Sequence, residues 1–274
     1  MINRILVPTD FSDVAKNALD FALDLCHKTN AEIHLLHVNP VPVADINFPQ
    51  ETYQLYLSEM KDYAEKELNA LVEKQVKPSG IKYGTHTHIG FVNDEVIQFI
   101  QGNQIDLIVM GTTGASGLQE LLIGSNTASI VGRSPVPVFV IPPSARHLNF
   151  KHVLYASDYS EPEFPAVSRL VYFAELYNAK ITVIHAKTES DRYFNSENNF
   201  FVKNRDQIKS EQITIEAVSN PDITDAVNEY IDYKGVDMVV MAKHNRSWFD
   251  RIFHRSMSKR MTYHTRVPLL VLNK

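Results

Sequence analysis

Residues 107–127 read LIVMGTTGASGLQELLIGSNT, an apolar run that passes through a glycine-rich loop into a polar stretch. The run Leu107–Met110 predicts a buried strand, and Gly124-Ser125 predicts the start of a helix. Helix N-termini bind phosphate through unpaired N–H groups and the favourable end of the helix dipole. The stretch therefore predicts an anion-binding strand–loop–helix unit, although its glycine spacing is that of neither a P-loop nor a Rossmann fingerprint. An ordinary βα loop with glycines at tight turns is the alternative.

The composition narrows the classes of function. The chain has 274 residues, 44% hydrophobic and 22% charged, which suffices for one large or two small domains. Its net charge of −5 argues against a globally basic nucleic-acid binder. No apolar stretch approaches the roughly 20 residues that span a bilayer, and residues 1–7 read as a strand rather than a signal peptide. We expect a cytoplasmic protein without a nucleic-acid or membrane partner.

Cys26 is the only cysteine in the chain. A single thiol excludes a disulfide framework and a cysteine-based zinc site. It falls on the apolar face of a predicted helix, so we expect a buried residue that acts as a small hydrophobe in a reducing compartment.

The chain carries one pattern twice. Residues 5–12, ILVPTDFS, recur as residues 153–160, VLYASDYS, at an offset of 148 positions. Residues 106–110, DLIVM, recur as residues 237–241, DMVVM, at an offset of 131. An ordered repeat of this kind predicts two domains of one fold. We place them at residues 1–143 and 150–274, joined by a polar, proline-led linker.

Each copy is predicted to be an α/β doubly wound domain, with a five-stranded parallel sheet and helices on both faces. In the first copy the strands are expected at about 3–7, 32–38, 81–88, 106–110 and 136–141. The helices are expected from Ser12 to Asn30, over 50–76, after Gly90 and from Gly124. The apolar faces of the first two should bury Val14, Ala18, Ala22, Leu25 and Cys26, and Leu57, Met60, Ala64, Leu68 and Leu71. Ligands of such sheets lie outside the carboxyl ends of the strands, where Asp10, Val38 and the 111–125 loop are expected to meet.

With these motifs in place, the chain resembles a tandem universal stress protein whose two domains cover nearly all of the sequence. The nucleotide-binding members of that family share the motif Gly-x-x-Gly-x(9)-Gly-Ser/Thr. Here its four positions are Gly111, Gly114, Gly124 and Ser125. Residues 7–12 and the second-strand ending Leu36–Val38 also match. The resemblance implies the adenine nucleotide alpha hydrolase-like fold for both domains.

The resemblance also implies an ATP pocket in the first half, with Mg²⁺ accompanying the nucleotide through phosphate oxygens and water. Asp10, beside Thr9, and the backbone of Val38 would hold the adenine–ribose end, between apolar walls from Pro8 and Met110. Gly111, Gly114, Gly124, Ser125 and Asn126 would surround the phosphates.

Two of these residues have structural alternatives. Asp10 fits equally the role of a carboxylate that caps the following helix. Thr127 is included either as a phosphate contact or as an ordinary first-turn residue.

The second copy departs from the pattern. Pro8, Gly111, Gly114, Gly117 and Gly124 correspond to Ala156, Ala242, Asn245, Trp248 and Arg255, whereas Asp158, Met241 and Ser256 are retained. In the second copy, side chains thus replace glycines that in the first copy would let the backbone approach an anion closely. We therefore predict that the second half does not bind ATP. Its last loop and helix instead carry many cations between Lys243 and Arg260. These form a solvated or inter-domain face, a site for another anion, or a contact for an acidic partner.

The sequence shows no assembled catalytic or metal set. His86 and His88 alternate on a predicted strand, but a zinc site requires three or four ligands. His37 and His185 occupy matching places in the two copies, which favours packing. The 111–125 loop contains neither Lys nor Arg, so phosphoryl transfer lacks an evident partner for its transition-state charge.

Three functions remain open from the sequence. The first is a stress protein whose bound ATP alters its assembly or its choice of an unknown protein partner. The last strands, 136–141 and 267–272, would then form an intrachain pseudo-dimer and a homodimer. The second is a weak ATPase or an adenylyl- or phosphoryl-transfer enzyme. The third is an interaction protein whose glycine loop is purely structural.

Overall fold

The structure of the chain is a computed structural model. The structure describes residues 1–41, 49–112, 123–146, 148–157, 164–186, 213–218, 223–243 and 266–273. The chain divides into two compact units, the first formed by Met1–Gly117 and Gly124–Pro143 and the second mainly by Ser144–Lys274. Two units are what the internal repeat predicts, while the bounds 1–143 and 150–274 stay predictions.

The first unit is a parallel sheet covered by helices. Its described strands are β1 (Arg4–Pro8), β2 (Glu32–Pro40), β3 (Tyr83–Gly90), β4 (Leu107–Gly111) and β5 (Val138–Ile141). The pairings give the order β3-β2-β1-β4-β5, with every pair parallel. The chain therefore winds outward in both directions from the central pair β1 and β4. That pair is the switch point at which doubly wound sheets hold their ligands.

The helices of the first unit follow the predicted order. They are α1 (Asp13–Thr29), α2 (Gln50–Leu71), α3 (Lys77–Ser79), α4 (Val92–Asn103) and α5 (Ser125–Arg133). A π-helical turn, Val72–Val76, joins α2 to α3.

Helix α1 begins and ends where its sequence signals indicate. The Ser12 hydroxyl accepts the N–H of Ala15 at 3.2 Å, and Asn30 ends the helix in the left-handed conformation at φ 58°. Of the expected face, only Val14 is not fully buried. Cys26 is buried, and burial raises the pKa of its thiol to about 12, as expected for a structural cysteine.

Helix α2 differs in part from its prediction. Ala64, Leu68 and Leu71 are buried, but Leu57 and Met60 are only half-buried. The first half of α2 is mostly exposed, so the helical period identified the helix correctly and overstated how much of it the core covers.

The second unit repeats this architecture. Its described strands are β6 (His152–Ala156), β7 (Lys180–Ala186), β8 (Ile213–Val218), β9 (Met238–Ala242) and β10 (Leu269–Leu272). The pairings give the parallel order β10-β9-β6-β7-β8, which matches the first unit strand for strand. The described helices are α6 (Phe164–Tyr177) and α7 (Ile223–Tyr233).

The repeat extends to individual hydrogen bonds. Oδ2 of Asp106 accepts the backbone N–H groups of Asn3 and Arg4 at 2.7 and 3.0 Å. In the second unit, Oδ2 and Oδ1 of Asp237 accept the backbone N–H groups of Lys151, just before β6, and of His152, its first residue, at 2.9 and 3.1 Å. In each unit one carboxylate thus ties the start of the first strand to the start of the fourth.

Both sheets are apolar in their centres. The described residues of β4, β6, β9 and β10 are almost all buried, as required of strands covered on both faces. In the described part of the chain, no helix has the length and apolar character needed to cross a bilayer.

Candidate functional site

A cavity of about 240 Å³ opens at the carboxyl ends of β1 and β4. Its described lining comes from the two strand ends, from β2, and from α1, α4 and α5. The lining residues are Pro8, Thr9, Asp10, Ala15, Leu36, Val38, Val92, Val96, Met110, Gly111, Gly124, Ser125, Asn126, Thr127 and Ile130. The cavity thus lies at the switch point of the first sheet.

The lining includes ten of the eleven residues that the sequence places in the site. Gly114 lies outside the described residues. Five further lining residues, all of them apolar, are not among the site residues expected from the sequence: Ala15, Leu36, Val92, Val96 and Ile130. Val92 and Val96 are four positions apart on α4, a helical spacing that is equally typical of residues packed into the core.

One wall of the cavity is the start of α5. Gly124 is its N-cap and has no side chain to satisfy the first turn. The N–H of Ala128 donates to the Gly124 carbonyl at 2.9 Å, the first bond of the helix ladder. The N–H groups of Ser125, Asn126 and Thr127 therefore have no partner within the helix. This wall offers positive partial charge and donors to an anion.

The side chain of Thr127 has a structural role. Its hydroxyl donates to the Gly111 carbonyl at 3.0 Å, and Thr127 is 4% exposed. The bond ties the first turn of α5 to the end of β4. The Thr127 hydroxyl is therefore used within the fold, and only the backbone N–H of this residue remains available to a ligand in the cavity.

Gly111 is a glycine for a packing reason. A β carbon placed there would lie 2.6 Å from Cγ1 of Val14 and 3.3 Å from the carbonyl oxygen of Val14. Such contacts require the Val14 side chain to shift and the backbone of α1 or β4 to yield by a few tenths of an ångström. The residue lets β4 and the first turn of α1 approach each other closely.

The turn between β1 and α1 carries Asp10. Oδ1 of Asp10 accepts the N–H of Ser12 at 3.1 Å, and the Thr9 hydroxyl accepts the N–H of Phe11 at 3.1 Å. Ser12, not Asp10, caps α1. The Asp10 carboxylate therefore supports the turn. Because Asp10 is exposed and lines the cavity, the carboxylate can also contact a bound ligand.

The cavity is poor in charge. Asp10 is the only charged side chain among its described lining residues. Arg133 lies at the other end of α5, and its guanidinium pairs with Asp94 at 2.7 Å. The described wall therefore presents N–H groups, and no described cation, to a phosphate.

A row of histidines lies beside the cavity on β2 and β3. Nδ1 of His34 lies 3.1 Å from Nε2 of His86, and His88 contacts Glu95 at 2.8 Å. Burial, followed by the charges of His34 and His88, lowers the pKa of His86. Phe99 packs against His86 and His88, which confirms that the two lie on one side of the strand. No group of three metal ligands occurs among the described residues.

The second unit differs at the corresponding place. Ala156, Met241 and Ala242 are buried at the ends of β6 and β9. Lys243 follows, and burial lowers the pKa of its ammonium group. The other positions compared from the sequence, Asp158, Asn245, Trp248, Arg255 and Ser256, lie outside the described residues.

Comparison with known proteins identifies the family. The universal stress protein family matches the chain twice, over residues 1–142 and 149–273. The chain therefore belongs to the universal stress protein family and contains two of its domains in tandem.

Individual relatives agree with this assignment. Universal stress protein MJ0531 of Methanocaldococcus jannaschii is 30% identical over 141 residues, covering 52% of this chain and 82% of that protein. Universal stress protein MJ0577 of the same organism is 27% identical over 154 residues, covering 52% and 95%. A universal stress protein structure from Archaeoglobus fulgidus DSM 4304 covers 99% of this chain and 96% of its own, at 21% identity and a TM-score of 0.73. That likeness shows the α/β fold across both domains.

Proposed function

We propose that the first domain binds ATP in the cavity at the ends of β1 and β4. One observation carries the proposal: the cavity joins apolar walls to the uncapped N-terminus of α5 at the switch point of a doubly wound sheet. An adenine base needs apolar faces, whereas phosphates need N–H donors, and this cavity supplies both. Its volume of about 240 Å³ lies just below the range of about 300–1,000 Å³ that is usual for small-molecule sites.

The proposed arrangement follows the family resemblance. Pro8, Val38 and Met110 would enclose the base, and Asp10 would accept hydrogen bonds from the ribose hydroxyls. Gly111, Gly124, Ser125, Asn126 and the N–H of Thr127 would face the phosphates, together with Gly114 from outside the described residues. Because the described lining supplies no cation, Mg²⁺ would remain mainly on phosphate oxygens and water.

We assign this site to binding rather than to rapid turnover. Phosphoryl transfer needs groups that stabilise charge on the transferring phosphate. The only charged side chain in the described lining is the anionic Asp10. Bound ATP should accordingly remain intact for hours.

The wider function proposed is a stress response in the cytoplasm, in which ATP selects an assembly or a protein partner. The family resemblance favours pairing through the last strand of each domain, and with it a homodimer, as that assembly. We further propose that the second domain does not bind ATP. Sedimentation with and without Mg·ATP tests the assembly, and an unchanged mass distribution would contradict it.

The binding proposal is tested by measuring released and added nucleotide. Mass spectrometry of the heat-denatured protein should find about one ATP per chain, or titration calorimetry should find one site for Mg·ATP. Gly124→Arg, which imitates Arg255 of the second copy, should abolish that site. Gly102→Arg is the matched control, because Gly102 is exposed and a β carbon there meets no described atom within 4 Å.

Each outcome has a definite meaning. No binding by the unsubstituted protein would refute the proposed function and favour the interaction-protein reading. Two nucleotides per chain would refute the proposal that the second domain does not bind ATP. ADP in place of ATP would point to hydrolysis.

A further inference from the structure

One imidazole holds both neighbours of Asp10. His37 lies on β2, and its Nδ1 is 2.8 Å from the carbonyl oxygen of Thr9. Its ring stacks on Phe11, with the centroids 4.4 Å apart and the planes inclined by 25°. Thr9 and Phe11 flank Asp10 in the chain. The side chain of His37 therefore contacts the turn on both sides of the carboxylate.

Hydrogen bonding fixes the orientation of the His37 ring. The Thr9 carbonyl can only accept, so Nδ1 of His37 donates to it. Nε2 lies 3.2 Å from Oδ1 of Asn39, a residue that is 4% exposed. Nδ2 of Asn39 finds no acceptor among the described residues. A half-turn of the Asn39 amide would exchange its oxygen and nitrogen, so that Nδ2 could donate to Nε2 of His37.

The turn needs such support because its backbone is strained. Phe11 has φ 65°, in the left-handed region that non-glycine residues seldom adopt. A bulky residue there costs about 1–2 kcal/mol and keeps this conformation only where its surroundings hold it. The stack on His37 and the bond from Phe11 N–H to the Thr9 hydroxyl supply that hold.

We propose that His37 is a positioning residue for Asp10. By fixing the Thr9 carbonyl and the Phe11 ring, it orients the Asp10 carboxylate for the hydroxyl groups of a bound ribose. This inference rests on the proposed ATP site and adds a residue that does not line the cavity. It also gives a physical role to a histidine whose sequence pattern indicated only packing.

The experiment compares ATP with 2′,3′-dideoxy-ATP, which lacks the ribose hydroxyls. Calorimetry with each Mg·nucleotide is run on the unsubstituted protein, Asp10→Ala, His37→Phe and the double variant. His37→Phe keeps an aromatic ring for Phe11 and removes the donor to Thr9. His34→Phe is the matched control, because His34 is on the same strand and contacts Glu32 and His86 instead. Circular dichroism checks that each variant is folded.

The expected results separate positioning from general support. The unsubstituted protein and His34→Phe should prefer ATP by about tenfold or more, the value of one hydrogen bond to a charged group. Asp10→Ala and His37→Phe should both lose this preference, and the double variant should bind no more weakly than Asp10→Ala. His37→Asn, which retains a donor near the position of Nδ1, should recover part of it. A folded His37→Phe that keeps the preference, or effects that add in the double variant, would overturn the proposal.

A second readout needs no ligand. The amide protons of Phe11 and Ser12 are bonded within the turn, so their exchange with solvent should accelerate about tenfold in His37→Phe. Unchanged exchange would refute the proposal that His37 holds the turn on both sides of Asp10. A protein that binds no nucleotide refutes the proposed function and the role in binding, whatever the exchange shows.

Discussion

The substitution Gly111→Ala should destabilise the first domain because β4 and α1 leave no room for one methyl group. The new β carbon would lie 2.6 Å from Cγ1 of Val14, and 3.3 Å from a backbone oxygen. Val14 stands in the first turn of α1, which the Ser12 cap holds in place. Overpacking of this kind costs about 1–3 kcal/mol in the free energy of unfolding. We expect the upper half of that range, since one of the two contacts is to backbone.

Native-state hydrogen exchange measures this cost for each domain. The most protected amides of β1 and β4 should lose the predicted free energy, while those of β6 and β9 serve as an internal reference. Adding Val14→Ala removes the closest contact and should recover about 1 kcal/mol relative to the sum of the single changes. Gly102→Ala is the control, because its β carbon has open space and a helical backbone, and should be neutral or stabilising by up to about 1 kcal/mol. A fully stable Gly111→Ala that loses only ATP affinity would show that the glycine serves the ligand instead.

Three further predictions concern other residues. Thr127→Val should cost about 1–2 kcal/mol in first-domain unfolding by denaturant, because it leaves the Gly111 carbonyl without its bond, and Thr127→Ser should restore most of it. Because the pKa of His86 is lowered from 6.5, the unfolded chain takes up a proton that the folded domain resists; stability should be full above about pH 6.5 and fall as the solution is acidified through the lower folded pKa. Exchange measured against pH should show a shallower fall in His86→Leu, and an equal slope would contradict the role of this residue. Cys26 should resist iodoacetamide at about pH 8 in the folded protein and react after denaturation, since its thiol is buried with a pKa of about 12.

The sequence predicted the fold because its signals are local and repeated. Every strand of the first domain was located to within two residues of its observed ends. The strand β5 begins at Val138 rather than at residue 136, because Pro137 has no N–H to give to the ladder. The π-helical turn Val72–Val76 was missed, since an apolar pattern does not report which carbonyl an N–H selects. The half-buried Leu57 shows that periodicity identifies a face but not how far the sheet beneath it extends.

Site residues that belong to sequence motifs could be predicted. Site residues that only the fold brings together, from elements distant in the sequence, could not. The glycines and Asp10 stand at strand ends in a recognisable order, so their convergence followed from sheet topology. Leu36 and Ile130 resemble any other core residues until the fold brings them to one cavity. His37 shares that difficulty, because its partner Thr9 lies 28 positions away and the bond is to a backbone carbonyl.

The structure also changes how the degenerate second copy should be interpreted. Gly111 and Gly124 both belong to the nucleotide motif, and both are replaced in the second half, by Ala242 and Arg255. The close packing of Gly111 against Val14 is enough to explain a glycine at this position. Its replacement by Ala242 therefore says little about whether the second domain binds a ligand. The second concerns Gly124, which in the first domain is a helix N-cap without a side chain and leaves the N–H groups of the first turn open to an anion; the large side chain of an arginine at the corresponding position would take up that space. The case against ATP in the second domain therefore rests on the counterpart of Gly124 far more than on that of Gly111.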